Sequence, residues 1–302
     1  AVAFDGVAEV RDNLDKMSSV LVAQAAAPAQ PEGAVSRRLE AEQAVQKSPW
    51  AITPHRPNYI LPYTYSFNPN TKPLKEAGSD DTNLDNAEVK FQISFKLPAW
   101  EQILGSNASL YFAYTQISLW QMYNENSAPF RDTNYEPEGF VQFDTDYDLL
   151  GLKNRAIGLG FVHQSNGRGL DAFSRSWNRL YANFVFERGN FAGALKPWWR
   201  IPEDKKEPGE SDGDDNPNIE RYLGYGELRA GYKWGNMVFA MMLRNNLRTD
   251  QNKGAIQLDW SFPLTSKLKG YVQFFNGYGE SLIDYDHANQ RIGVGVLLSD
   301  WL

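Results

Sequence analysis

Residues 89–97 read VKFQISFKL, and this stretch decides the fold. Apolar and polar side chains alternate from its first position to its last. Successive side chains of an extended strand point to opposite faces, so the stretch predicts a strand with one apolar and one polar face. The same alternation recurs at 256–262 and again at 292–298, where glycine replaces most of the polar residues.

Twelve segments of this kind follow one another along most of the chain. They lie near 59–67, 88–98, 109–121, 138–147, 154–165, 176–187, 190–200, 219–233, 237–246, 254–262, 268–278 and 290–302. We therefore predict an all-β fold, a twelve-stranded antiparallel transmembrane β-barrel at 59–302. Residues 1–58 are rich in Ala, Gln and Pro and are predicted to be a largely irregular N-terminal tail.

The connections between these segments alternate in length. Long polar links fall near 68–87, 122–137, 166–175, 201–218, 247–253 and 279–289. Most of the others are short. Long outer loops and short periplasmic turns are typical of bacterial outer-membrane barrels. An even number of strands puts both ends of the barrel on the short-turn side, so the tail is expected in the periplasm. The acidic residues within 202–218 are interpreted as a solvated outer loop. The alternative is a calcium-binding loop, although the spacing of an EF-hand is missing.

Composition narrows the function classes further. The 302-residue chain has a net charge of −7 and no cysteine, and aromatic residues make up 14% of it. The acidic balance argues against a nucleic-acid partner. The absence of cysteine excludes a disulfide framework, a thiolate metal site and a cysteine nucleophile. No apolar run is long enough for a transmembrane helix, whereas many Trp and Tyr suit the aromatic girdles of a barrel.

One strand carries a pattern with chemical meaning. His163 and Ser165 stand two residues apart at the end of a predicted strand, on the apolar face that would meet lipid. Asn178 lies on the apolar face of the next strand, near the same loop. Hairpin pairing would place Asn178 beside His163, where its carbonyl oxygen could accept the Nδ1 hydrogen of the imidazole. That arrangement suits a Ser-His-Asn relay. The alternative is that three polar residues simply occupy the interfacial band.

Several runs resemble the outer-membrane phospholipase A family. They are HQSNGR at 163–168, SRSWNRLY at 174–181, PFRDTNYEP at 129–137, DNP at 215–217 and GYGESLIDY at 277–285. The resemblance spans about 48–302. It implies an outer-membrane enzyme that hydrolyses the acyl esters of phospholipids and lysophospholipids, of the A1/A2 and lysophospholipase type.

The resemblance also implies roles for individual residues. Ser165 matches the nucleophile, His163 the general base and Asn178 the residue that orients the base. The backbone N–H of Gly167 matches an oxyanion-hole donor. Preorganised N–H groups of this kind stabilise the charge of a tetrahedral intermediate.

The resemblance further implies that the enzyme depends on calcium and is active as a homodimer. The positions matching its Ca²⁺ ligands are Ser127, the carbonyl of Arg168, and Ser174. The loop before Ser174 is about one residue longer than the family pattern, so Ser176 competes for that role, and Asp171 could add a carboxylate. Neutral oxygens of this kind suit a hard cation.

Gln116 matches a polar dimer-interface residue on the lipid face. The alternative for Gln116 is that it faces the lumen.

Two other functions compete with the enzyme. One is a non-enzymatic outer-membrane barrel, a channel or an adhesin, with lumen residues such as Lys90 and Arg229 forming an ionic plug. The other is a soluble β-sandwich that binds a partner. Conductance in bilayers would favour the channel, and solubility without detergent would favour the sandwich.

Overall fold

The computed structural model describes residues 33–46, 52–76, 83–126, 129–169, 173–206, 213–266 and 268–300. This part of the chain contains twelve strands. They are β1 (Asn58–Ser66), β2 (Ala87–Trp100), β3 (Ala108–Trp120), β4 (Phe130–Leu149), β5 (Leu152–Ser165), β6 (Ser176–Arg188), β7 (Phe191–Arg200), β8 (Gly226–Trp234), β9 (Met237–Asn245), β10 (Gly254–Pro263), β11 (Lys269–Tyr278) and β12 (Ala288–Ser299). The helices are α1 (Ala34–Gln46), α2 (Lys72–Glu76) and α3 (Glu220–Leu223), with a 3₁₀ turn at Ile103–Gly105.

The strands close into one antiparallel barrel in sequence order. The first and last strands complete it, with Asn58 paired to Ser299 and Tyr65 to Ile292. Closure pairs every strand on both sides, so no sheet edge is exposed. The connections at one end are short and those at the other end are long, which confirms the twelve-stranded fold predicted from the sequence. No helix in the described ranges is long and apolar enough to cross a membrane.

The period of two sorts side chains between lipid and lumen. On β2, Lys90 and Lys96 are buried inside the barrel, whereas Ile93 and Leu97 are exposed on its outer wall. Apolar residues that are exposed in an isolated chain form the belt that meets the hydrocarbon of the membrane. This belt includes Phe112, Leu159, Trp199, Leu258 and Val294.

Ion pairs fill the lumen. Arg291 contacts Glu280 at 2.9 Å and Glu88 at 2.6 Å. Arg131 continues the chain of charges from Glu88, at 2.7 Å, to Asp284, at 2.8 Å. Cavities of about 110 and 180 Å³ lie between these side chains. Both are lined in part by Arg56, Glu227 and Arg229, so water can occupy the space that the ion pairs leave.

Helix α1 lies against the short-turn end of the barrel. The backbone N–H of Ala34 donates to Gly189 in the β6–β7 turn at 2.9 Å, and Glu42 contacts Lys96 at 2.8 Å. Two backbone hydrogen bonds also join Thr53 to Lys96. The sequence predicted a largely irregular tail over 1–58, and the described portion of it contains this 13-residue helix.

Two strand boundaries differ from those predicted. β4 begins at Phe130 rather than near 138, because its outward positions there include Thr133 and Pro137, so the sequence shows no apolar face; its inward positions carry Asp132 and Asn134. Both side chains accept backbone N–H groups from the loop before β12, which holds this polar half of the strand in the barrel. β8 begins at Gly226 rather than near 219, because α3 occupies the preceding residues.

Candidate active site on the outer wall

His163 and Asn178 form a hydrogen-bonded pair on the outer wall. They are register partners across β5 and β6, and His163 Nδ1 lies 2.9 Å from Asn178 Oδ1. Both side chains are half-buried and lie near the long-loop end of their strands. An amide oxygen can only accept, so Nδ1 carries the hydrogen and the Nε2 lone pair is free to act as a base.

Ser165 ends β5 on the same face as His163. It pairs with Ser176 of β6 on one side and with Tyr135 of β4 on the other, and it is half-buried. Among the described residues, its hydroxyl forms no hydrogen bond with His163. Catalytic hydrogen bonds are often long before substrate binds, so this separation is compatible with a nucleophile and its base.

The loop after Ser165 is anchored by an inward residue. Asn166 is buried, and its Nδ2 donates to the carbonyl of Phe173 at 2.6 Å. Its backbone N–H donates to the carbonyl of Arg175, and its Oδ1 accepts the Arg175 N–H, each at 3.0 Å. This clamp fixes the chain on both sides of the loop, so the residue after Asn166 has a defined position.

The conformation of the next residue, Gly167, requires that it have no side chain. Its φ is +66°, in the left-handed region, and an added Cβ would lie 2.8 Å from the ring of Tyr135. Only glycine adopts this conformation without strain. Gly167 is exposed and lies two residues after Ser165.

Oxygen atoms converge where the loop returns to β6. The hydroxyl of Ser174 lies 3.2 Å from the carbonyl oxygen of Arg168 and 2.7 Å from a carboxylate oxygen of Asp215. A carbonyl, a hydroxyl and a carboxylate are the ligand types that calcium prefers, so these residues fit a hard cation. In the described ranges no group of three or more His, Cys, Asp or Glu side chains could by itself hold a metal ion, so carbonyl and hydroxyl ligands would have to contribute.

Of the other expected calcium ligands, the structure describes only Ser176. Ser127 and Asp171 lie outside the described residues. Ser176 begins β6, and its backbone N–H donates to Asn216 Oδ1 at 3.1 Å. Ser174, unlike Ser176, is a partner of the Arg168 carbonyl.

Sequence reasoning missed two acidic residues at the site. The link containing Glu203 and Asp215 was interpreted as solvated loop, yet each contacts a site residue. Glu203 accepts a hydrogen bond from Asn178 Nδ2 at 3.0 Å, and Asp215 accepts one from Ser174. Burial raises the pKa of the Glu203 carboxyl. No spacing rule would have singled out these two from the other acidic residues of the link.

Gln116 lies on the outer wall within a ladder of polar groups. Its Oε1 accepts from the Tyr114 hydroxyl at 2.9 Å, and its Nε2 donates to Ser118 at 3.2 Å. Its register partner on β2, Ile93, is exposed. Gln116 therefore lies half-buried on the outward face of β3, with its amide hydrogen-bonded within this ladder, and the alternative position in the lumen is excluded.

These features define the class of protein: an integral outer-membrane β-barrel with a hydrolase-type site on its outer wall. They are the apolar belt, the polar lumen and the histidine–asparagine pair that faces lipid. Residues 35–298 match the family model for phospholipase A1. A Proteus vulgaris protein named phospholipase A1 is 43% identical over 255 residues, covering 84% of this chain and 83% of its own. The chain belongs to the phospholipase A1 family.

Solved structures agree with this assignment. An active-site asparagine-to-alanine variant of Escherichia coli outer-membrane phospholipase A superposes with a TM-score of 0.77 at 39% identity, covering 86% of this chain and 98% of that one. The Salmonella typhi outer-membrane phospholipase, a dimer with bound calcium, gives a TM-score of 0.76 at 40% identity, covering 85% of this chain and 96% of that one.

Proposed function

We propose that this chain is a calcium-dependent phospholipase that hydrolyses the acyl esters of phospholipids and lysophospholipids, with Ser165, His163 and Asn178 as its relay. The observation that carries the proposal is the 2.9 Å contact between His163 and Asn178 on the lipid-facing wall. The E. coli relative solved as an asparagine-to-alanine variant of its active site supports a catalytic asparagine in this family.

Acyl transfer follows from the positions of these side chains. Ser165 Oγ attacks the ester carbonyl carbon while its proton passes to His163 Nε2. Asn178 holds the imidazole in the required tautomer and stabilises it once it is protonated. The protonated imidazole then gives its proton to the departing alcohol oxygen of the lysolipid. Water attacks the resulting acyl-enzyme by the same route and releases the fatty acid.

The tetrahedral intermediate of each half-reaction bears a negative oxygen. The Gly167 backbone N–H lies on the same stretch of chain as Ser165 and would donate to this oxygen. Bound Ca²⁺ would supply further positive charge beside it. Arg168 and Ser174 would hold the ion through their oxygens, with Ser127 as the third ligand expected from the sequence. The carboxylate of Asp215 is close enough to Ser174 to contribute.

The position of the site determines where substrate comes from. His163 and Leu159 share one face of β5, and Leu159 is exposed within the apolar belt. An ester bond can meet Ser165 only if its lipid is embedded in the same membrane leaflet. The long loops beside the site indicate the outer leaflet.

We infer that the active form is a homodimer with Gln116 at its interface. Tyr114 and Ser118 satisfy the oxygen and one hydrogen of the Gln116 amide, and a second barrel would pair the other amide hydrogen, which is costly to leave unpaired in hydrocarbon. The Salmonella typhi relative, a dimer with bound calcium, supports the same assembly here.

The deciding experiment measures fatty-acid release from phosphatidylcholine mixed micelles, with calcium or with a chelator. Ser165→Ala should lower the calcium-dependent rate by 10³-fold or more, roughly the loss seen when a catalytic nucleophile is removed. Ser176→Ala, which alters the neighbouring serine of β6, should leave most of the activity. Heat-dependent gel mobility would verify that each variant forms a closed barrel. An active Ser165→Ala barrel would contradict the proposed relay.

A further inference from the structure

We propose that Glu203 is a positioning residue that fixes the side-chain amide of Asn178 in its working orientation. The inference rests on the relay proposed above. It adds a fourth residue to that relay, supplied by the loop after β7. Glu203 touches neither His163 nor Ser165, so its effect would pass through the amide.

The backbone brings Glu203 to this place. Beyond the end of β7 the chain continues beside β6, because the N–H of Ile201 donates to the carbonyl of Asn178 at 2.8 Å. Glu203 follows two residues later, so its side chain falls on the same outer face. There Glu203 Oε1 lies 3.0 Å from Asn178 Nδ2.

A carboxylate selects one of the two orientations of an amide. Rotating the amide by 180° exchanges its oxygen and nitrogen. An ionised carboxylate only accepts hydrogen bonds, so the NH₂ group of Asn178 must face Glu203. The oxygen then faces His163 Nδ1, at 2.9 Å, and the tautomer of the imidazole is fixed. One contact therefore determines the orientation of two side chains.

The loop carrying Glu203 is itself held by its neighbours. The backbone N–H of Asp214 donates to the carbonyl of Asp204 at 2.8 Å, and Arg200 contacts the Asp214 carboxylate at 2.5 Å. Charges of both signs act on Glu203: Arg200 is attractive, whereas Asp214 and Asp215 are repulsive. A carboxylate in a restrained loop can orient a partner, which a mobile one could not do.

This arrangement also explains how a neutral asparagine can serve in the relay. In a Ser-His-Asp triad the anion contacts the imidazole directly. Here the anion would stand one hydrogen bond further out, at the loop, and Asn178 would separate it from the lipid-facing wall. Because a charge in hydrocarbon is costly, this position keeps an electrostatic effect on His163 while leaving the carboxylate half-exposed.

The first test compares Glu203→Ala, Glu203→Gln and the neighbouring control Asp204→Asn in the calcium-loaded enzyme. Glu203→Ala should lower kcat about tenfold with little change in KM, as expected for the loss of one charge-assisted hydrogen bond. Glu203→Gln keeps an acceptor and should recover part of that loss. Asp204→Asn removes one charge from an exposed position beside Glu203 and should remain within about twofold of the wild type.

A pH profile separates positioning from a merely structural effect. Removing the anion should shift the acid limb of kcat/KM to lower pH by about half a unit, because a carboxylate one amide away from the imidazole favours the protonated imidazole. Asp204→Asn should leave that limb in place. An unshifted acid limb in both Glu203 variants would overturn the electrostatic part of the proposal.

Double variants test the contact itself. Glu203→Ala should have no further effect in an Asn178→Ala background, because the residue it positions is already missing. Asn178→Asp should be poorly active, with two carboxylates facing each other, and Asn178→Asp with Glu203→Gln should recover activity. Additive losses of activity, or no recovery in the double variant, would contradict the positioning role of Glu203. If Ser165→Ala is also fully active, the proposed relay is itself wrong. If Ser165→Ala is inactive, the relay stands and only the role of Glu203 is rejected.

Discussion

His163 and Asn178 face each other as register partners on adjacent strands, with the imidazole and the amide in hydrogen-bond contact on the lipid side of the wall. Neither side chain belongs to a loop, so the ladder of the barrel sets their separation. A site built on paired strands keeps its geometry when the loops move. The serine beside them, by contrast, lies at the last residue of its strand.

Gly167→Ala should lower kcat about 100-fold, the loss typical of removing one oxyanion donor. The new methyl group would meet the ring of Tyr135, and the positive φ would be strained, so the N–H would shift. Gly169→Ala is the matched control, because nothing lies within 4 Å of a Cβ there. Steady-state kinetics on short-chain phospholipid would compare the two. Equal rates for both variants would show that Gly167 has no oxyanion role.

Ser174→Ala should raise the calcium concentration that gives half-maximal activity by about tenfold, since one ligand of a modest-affinity site is lost. Ser176→Ala should leave that concentration unchanged, because Ser176 does not contact the Arg168 carbonyl. Calcium titrations of the hydrolysis rate measure both. The opposite ranking would assign the ligand to Ser176.

Gln116→Leu should weaken dimerisation about fivefold, corresponding to roughly 1 kcal/mol for a polar contact within the membrane. Crosslinking, or energy transfer between labelled barrels in detergent with calcium and a substrate analogue, would report it. Leu258→Ala alters the outer face of β10 and serves as the control. Activity should fall in parallel with the dimer fraction. A Gln116→Leu barrel that dimerises normally would remove this residue from the interface.

The docking of α1 should depend on pH through Glu42. Burial by itself raises the pKa of this carboxyl, but Lys96 and Arg38 outweigh burial and hold it below its ordinary value of 4.5. A lowered pKa in the folded state stabilises docking at pH above 4.5, and this contribution disappears as the pH falls through the lowered value. A nitroxide attached at Ala41→Cys should therefore gain mobility in acid. With Glu42→Gln, mobility that still changed with pH would point to another group.

The strand order and the outward face of His163 were predictable from the sequence. Strands that face lipid carry apolar residues on every second position, and this alternation is visible in the chain. It failed on the outer half of β4, where outward positions carry Thr133 and Pro137, and where the inward Asp132 and Asn134 bind a distant loop. The alternation of neighbouring residues cannot reveal hydrogen-bond partners that lie about 150 residues away in the chain. The same limit applies to Glu203, whose contact with Asn178 depends on how the chain continues past β7.

The chain of ion pairs from Lys90 through Glu280, Arg291, Glu88 and Arg131 to Asp284 has a consequence for the cell. An open bore of this strand number would let small solutes equilibrate across the outer membrane each time a copy was inserted. Because charged side chains occupy this part of the bore, we expect an inserted copy to add no open path for solutes. The number of copies could then vary without weakening what the membrane keeps out.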